Sequence, residues 1–216
     1  MAATLVQEIH SELAPVRDQL LGHAYLSAVE EGLIQLEQLR PFACEQWAII
    51  SSDLRSVAHL ASRYGGDFFL GVLDGERAAH TALRTFATAL GLTQEDLDAY
   101  EPMPGAHAYA AYMAWLAAYA SDAEVAAAYL VNFAAWGENC ARMSRALTGR
   151  YGLTPDQVLF FDQFADPGGD FETPALAVIA AGLERGVPER RIRRAARLLQ
   201  GYELLYWDTL LSELQR

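Results

Sequence analysis

The hydrophobic positions of this chain recur every three to four residues along almost its whole length. That spacing lays one apolar stripe down an α-helix. Alternating β-branched runs are absent, while Ala, Leu, Glu and Arg, which cost little in a helix, are abundant. The pattern predicts helices over about 4–31, 36–64, 67–90, 107–119, 122–147, 155–166, 172–185 and 188–213, with a short turn at about 94–100. Pro15 is expected to break or kink the first helix, and Gly201 to bend the last. Gly65-Gly66, Gly91 and Gly186 read as stops. Thr93, Ser121 and Thr154-Pro155 read as starts. Loops are expected at 102–105 and 166–170. The loops are short and no linker is visible, so the sequence predicts a single all-α domain spanning 1–216, a bundle of seven or eight helices.

Composition narrows the function classes. Apolar residues make up 52% of 216, enough for a sizeable core. No apolar run reaches the length of a transmembrane helix. The first residues lack the basic and apolar regions of a signal peptide. The two cysteines, Cys44 and Cys140, suit a reducing cytoplasm, the expected location. A net charge of −12 repels nucleic acid and anionic lipid, so neither is an expected partner. Arg190, Arg191, Arg193, Arg194 and Arg197 read as a solvated stripe paired with acidic neighbours.

Three constellations carry candidate chemistry. The first is Glu203, set among Leu199, Leu204, Tyr206 and Trp207. An ionised carboxylate is costly to bury without a partner. Either Glu203 pairs with an arginine, or it faces a cavity that holds a small amine or polar heterocycle. The second is the stripe Asn132, Trp136, Asn139 and Met143, which share one helix face at about 100° per residue. The two amides either satisfy neighbouring backbone or line a pocket. The third is Glu76 and His80, one turn apart, with Glu138, His59 and Glu203 as possible additions. No histidine follows His107 and no second Glu–His pair exists, so no metal and no cofactor is expected, and Glu76–His80 reads as a surface pair. Cys44 and Cys140 read as inert packing, and no GxSxG elbow, P-loop or GxGxxG is present.

These residues together resemble TenA (thiaminase II), within the wider group that includes PqqC. The resemblance rests on Glu76–His80, on the stretch 101–113, on the helix 132–140, and on Tyr202-Glu203-Leu204-Leu205-Tyr206-Trp207. It covers nearly the whole chain and implies the haem-oxygenase-like all-α fold and a homodimer or homotetramer. In TenA proteins a tyrosine of the fourth helix, a cysteine on the next and a tyrosine one turn later line the pocket. The resemblance places Tyr109, Asn132 and Trp136 there. It matches Glu203 to the family's glutamate, with Tyr206 in the aromatic pair that follows. It puts the family's pyrimidine-binding aspartate at Gln46, with Glu45 adjacent. An asparagine cannot form the covalent adduct that a cysteine forms, so the chain is similar to a divergent member without cysteine chemistry.

Three readings follow. The first is a TenA-like enzyme that hydrolyses an aminopyrimidine or a related amine or heterocycle. There Glu203 is the acid/base or amine anchor, water is the nucleophile, and Glu45, Gln46, Tyr109, Asn132, Trp136, Asn139 and Tyr206 bind substrate. The second is a non-catalytic ligand-binding or regulatory protein of the same family. The third is a metal-dependent oxidase of the same fold built on Glu76, His80 and Glu138.

Overall fold

A computed structural model describes residues 1–166 and 170–215. They form ten α-helices: α1 (Ala2–Leu21), α2 (Ala24–Glu31), α3 (Arg40–Tyr64), α4 (Gly66–Ala89), α5 (Gln94–Ala99), α6 (Pro104–Tyr119), α7 (Asp122–Gly149), α8 (Pro155–Ala165), α9 (Glu172–Glu184) and α10 (Glu189–Leu214). A 3-10 turn, Leu36–Leu39, leads into α3. The described residues contain no strand. The expected loop at 166–170 falls largely on 167–169, outside the described residues.

The helix starts follow the predicted caps. Thr93, Ser121 and Thr154 each exchange hydrogen bonds with the residue three positions on, closing capping boxes at α5, α7 and α8. The first predicted helix is corrected. Pro15 lies inside an unbroken α1, and the division comes at Gly22-His23 instead. The apolar stripe of α1 runs on past Pro15 to Leu20, so the packing outweighs one missing backbone hydrogen bond. The His23 ring then accepts from the Tyr25 amide and starts α2. Gly201 lies within a continuous α10. The count rises above eight because the first region is two helices and 94–99 forms its own.

Helix α3 packs between α4 and α6, and α7 packs against α8, α9 and α10, while α10 also packs on α6. Arg193 of α10 ties to Glu8 and Glu12 of α1, and Arg191 to Glu124 of α7 at 3.0 Å. Those two members of the arginine stripe are therefore paired as expected.

The core is two apolar clusters, not one. One holds Phe42, Phe86, Phe160, Phe161 and Trp207; the other holds Val57, Phe69, Met113, Val125 and Leu199. The boundary between them is polar. On α3, Asp53 falls between Ile50 of the first cluster and Val57 of the second. On α4, Glu76 falls between Ala79 and Val72; on α7, Asn132 falls between Ala135 and Val131; on α10, Gln200 and Glu203 fall between Tyr206 and Leu199. A layer of buried polar side chains therefore crosses the bundle at one level.

Helix α8 lies very close to α7 beside this layer. A Cβ at Gly137 would sit 2.7 Å from the Phe164 carbonyl oxygen, whereas one at Gly71 on the exposed side of α4 would meet nothing within 4 Å. Gly137→Ala is expected to destabilise the fold by about 1–3 kcal/mol through overpacking. Gly71→Ala is expected to stabilise it by about 0.5–1 kcal/mol, because glycine loses most entropy in a helix. Urea denaturation of the two variants beside the wild type checks the opposite signs.

Candidate functional site

The polar layer opens into a cavity of about 430 Å³, counted out to its mouth. Helix α3 contributes Gln46, Ile49, Ile50 and Asp53, at the i, i+3, i+4, i+7 positions of one face. Helix α4 adds Glu76, α6 adds Tyr109, and α7 adds Asn132, Phe133 and Trp136. Phe164 of α8 and Glu203 and Tyr206 of α10 complete the wall. No lysine, arginine, histidine or cysteine is among these residues.

Glu203 is the centre of a hydrogen-bonded group. Its Oε2 accepts from Asn132 Nδ2 at 2.6 Å, and its Oε1 accepts from Trp207 Nε1 at 3.3 Å. Asn132 Nδ2 also donates to Gln200 Oε1 at 3.0 Å, and Asn132 Oδ1 accepts from the Tyr109 hydroxyl at 2.9 Å. Among the described residues no arginine pairs with Glu203, and its partners are Asn132 and Trp207 instead. Burial pushes its carboxyl up to about 8, and the Trp207 and Asn132 donors only partly oppose this. Aromatic rings enclose the group: Trp136 lies 5.7 Å from Trp207 and meets Phe164 edge-on at 5.8 Å.

Six of the eight predicted site residues meet in the cavity: Gln46, Tyr109, Asn132, Trp136, Glu203 and Tyr206. Glu45 and Asn139 do not. Glu45 is one residue from Gln46, and the helical turn of about 100° points it elsewhere. Its Oε1 accepts from the Tyr100 hydroxyl at 2.9 Å and the Met103 amide at 2.7 Å, which fixes the chain entering α6. Asn139 lies two turns beyond Asn132 and donates to the Leu20 carbonyl at 3.3 Å. With Arg142, which donates to the Leu21 carbonyl, it satisfies the end of α1.

The Glu76–His80 pair is also corrected. Glu76 is buried and lines the cavity, while His80 stacks on Trp47 at 4.0 Å between centroids and approaches the Ser51 hydroxyl at 3.5 Å. Glu138 is exposed and pairs with Arg17 at 3.5 Å. The three proposed oxidase ligands therefore do not converge, and the described residues hold no cluster of three metal-ligating side chains. Cys140 is buried outside the cavity, and burial raises its thiol well above the ordinary value. Cys44 is raised to about 11, again chiefly by burial. Neither thiol is among the residues that line the cavity.

Sequence reasoning missed Asp53 and Glu76 as cavity residues, although two signals marked them. Asp53 stands two turns after Gln46 on one face. Glu76 interrupts the stripe Phe69, Val72, Ala79, Leu83 and Phe86, whose members are all buried. A charge inside such a stripe is itself buried.

Helix order and packing define an all-α bundle with a polar cavity at its centre. The chain belongs to the TENA/THI-4/PQQC family, whose model matches residues 10–165. Its fold is similar to that of a TenA homologue from Pseudomonas syringae pv. tomato, with a TM-score of 0.82, 15% identity, and 98% of this chain and 96% of that one covered. It is also similar to a domain with a heme oxygenase-like fold from Shewanella denitrificans (TM-score 0.72, 14% identity, 97% and 93% covered). A third similar structure is a putative TenA-like thiaminase from Sulfolobus solfataricus (TM-score 0.65, 12% identity, 96% and 95% covered). No curated protein matches the sequence significantly. Among the described residues, no helix is long and apolar enough to cross a membrane.

The raised carboxyl of Glu203 has a consequence for stability. The unfolded chain loses this proton near the ordinary 4.5, whereas the folded protein holds it to about 8. Between those values the folded state binds more protons, so the contribution of Glu203 to stability is full below about 4.5 and falls as pH rises through about 8. Glu203→Gln cannot ionise. Wild-type stability minus variant stability is therefore expected to fall by on the order of a few kcal/mol between pH 5 and pH 9. Chemical denaturation of both proteins at the two pH values measures this, and a constant difference would mean that Glu203 titrates normally.

Proposed function

We propose that this protein is a TenA-like small-molecule enzyme that binds an amine-bearing nitrogen heterocycle of the aminopyrimidine class and hydrolyses its C–N bond. One observation carries the reading: a carboxyl held largely protonated at neutral pH stands in an aromatic-walled cavity, fixed by two hydrogen bonds. A group tuned near the working pH serves as general acid and base. Glu203 would deliver its proton to the departing amine. Water would supply the oxygen that bonds to the released carbon, and Glu203 would take up the proton that water loses. Tyr109, linked to Glu203 through Asn132, would orient the substrate, and Trp136 would cover the ring. Glu45 has no part in this, since it lies outside the cavity.

A second reading is favoured by the absence of any cysteine or lysine among the cavity residues: a family member that binds the ligand without turning it over. The two readings separate on one ligand. In a thermal-shift titration with 4-amino-5-aminomethyl-2-methylpyrimidine, the wild type is expected to gain roughly 5–10 °C at a hundredfold excess over Kd. Glu203→Gln is expected to lose most of that gain. Release of ammonia, reduced about 10²–10⁴-fold in the variant, marks the enzyme. A shift with no ammonia marks the binding protein. No shift in the wild type rejects the aminopyrimidine class.

A further inference from the structure

The side-chain amide of Asn132 meets three partners, and one of them alone has a fixed hydrogen-bonding sign. Asn132 Nδ2 donates to Glu203 Oε2 at 2.6 Å and to Gln200 Oε1 at 3.0 Å, and Asn132 Oδ1 accepts from the Tyr109 hydroxyl at 2.9 Å. Both Nδ2 protons are therefore engaged. A hydroxyl both donates and accepts, so Tyr109 would tolerate the amide in either orientation. Glu203 fixes the amide only when ionised, because a protonated carboxyl can donate to a flipped amide oxygen. Burial holds that carboxyl protonated up to about 8, so the neutral form matters at neutral pH. The carbonyl oxygen of Gln200 never donates. A flip of Asn132 would set two amide oxygens face to face among buried residues, which is costly. Gln200 is not among the residues that line the cavity, so it acts on the cavity through Asn132. The titratable groups around Glu203 do not replace it. On the helices packed on α10, Tyr109 of α6 and Cys140 of α7 feel its charge, while His23 before α2 is taken by Asp208, and Glu8 and Glu12 of α1 by Arg193. Across the cavity, Asp53 of α3 and Glu76 of α4 are acidic, and no basic side chain lines it.

We propose that Gln200 is a positioning residue of the cavity: its carbonyl sets the orientation of the Asn132 amide, which then presents an N–H to Glu203 whether that carboxyl is charged or neutral. Two consequences follow. A carboxylate formed when Glu203 gives up its proton meets a donor already in place, so no side chain has to turn during the transfer. The Tyr109 proton is committed to Asn132 Oδ1, which leaves the Tyr109 oxygen only lone pairs for a further partner. The part Gln200 plays in a reaction rests on the reading of Glu203 as the group that moves the proton. Its hold on Asn132 does not, and the test reads that hold without any ligand, so the outcome is independent of the aminopyrimidine assays.

Asn132 and Asn139 are the two asparagines of the chain, so isotope labelling of asparagine nitrogen gives two side-chain amide pairs in an NMR spectrum. Asn139, which donates to the Leu20 carbonyl, is the internal control. In the wild type the Asn132 pair is expected to shift with pH at a midpoint of about 8, and to lose that shift in Glu203→Gln. Both Nδ2 protons are expected to exchange slowly with water on either side of the midpoint. Gln200→Met keeps the length of the side chain and removes its carbonyl. In that variant the midpoint is expected to rise by about one pH unit, because the freed amide turns its oxygen to the protonated carboxyl. One Nδ2 proton is expected to exchange at least about tenfold faster. The Asn139 pair is expected to stay as it is, which a general loosening of the fold would not allow. An unmoved midpoint in folded Gln200→Met overturns the proposal. If Gln200→Met does not fold, the wild type decides. An Asn132 pair that stays protected once Glu203 is protonated sustains the proposal, and one that then exchanges freely with water overturns it.

Discussion

The contact between Glu203 and Asn132 is the constraint on which the centre of this molecule depends. It joins α10 to α7 at the level where the two apolar clusters meet, and both partners are buried. A carboxyl there must be protonated or held by donors, and the structure uses both means: burial raises it, and Asn132 and Trp207 face it. Asn132 in turn is shared with Gln200 and Tyr109, so one amide links three helices. Such a group is specific only when each member is satisfied, which fixes the registers of α6, α7 and α10 against one another.

The same layer explains why a cavity exists at this point. Apolar side chains interdigitate to near-crystalline density, and both clusters do so on either side. Polar groups that must keep hydrogen-bond geometry cannot close up in the same way, and the space they leave is walled by Trp136, Phe164 and Tyr206. The aromatic wall lowers the local dielectric, which strengthens each charge inside. The acidic groups and the missing basic ones belong to one electrostatic arrangement, suited to a cation and hostile to an anion.

Membership of the TENA/THI-4/PQQC family and the fold similarity at 12–15% identity describe the scaffold more than the chemistry. Within that scaffold, the residues that line the cavity are this chain's own. Its two thiols are buried and do not line the cavity, and an asparagine amide holds the carboxyl at its centre.

Helical periodicity, the caps at Thr93, Ser121 and Thr154, and the isolated charge of Glu203 in an apolar helix are local properties of the chain. They were readable because each depends on residues within a few positions. The stripe from Asn132 to Trp136 was readable for the same reason. Tertiary structure alone decided the rest. It kept α1 whole through Pro15, because packing outweighed a local penalty. It turned Glu45 to the α6 entry and Asn139 to the end of α1, although both stand near true cavity residues, since a helix face has meaning only against its neighbours. It also drew Glu76 away from His80 and set it beside Asp53, across two helices that no sequence spacing connects.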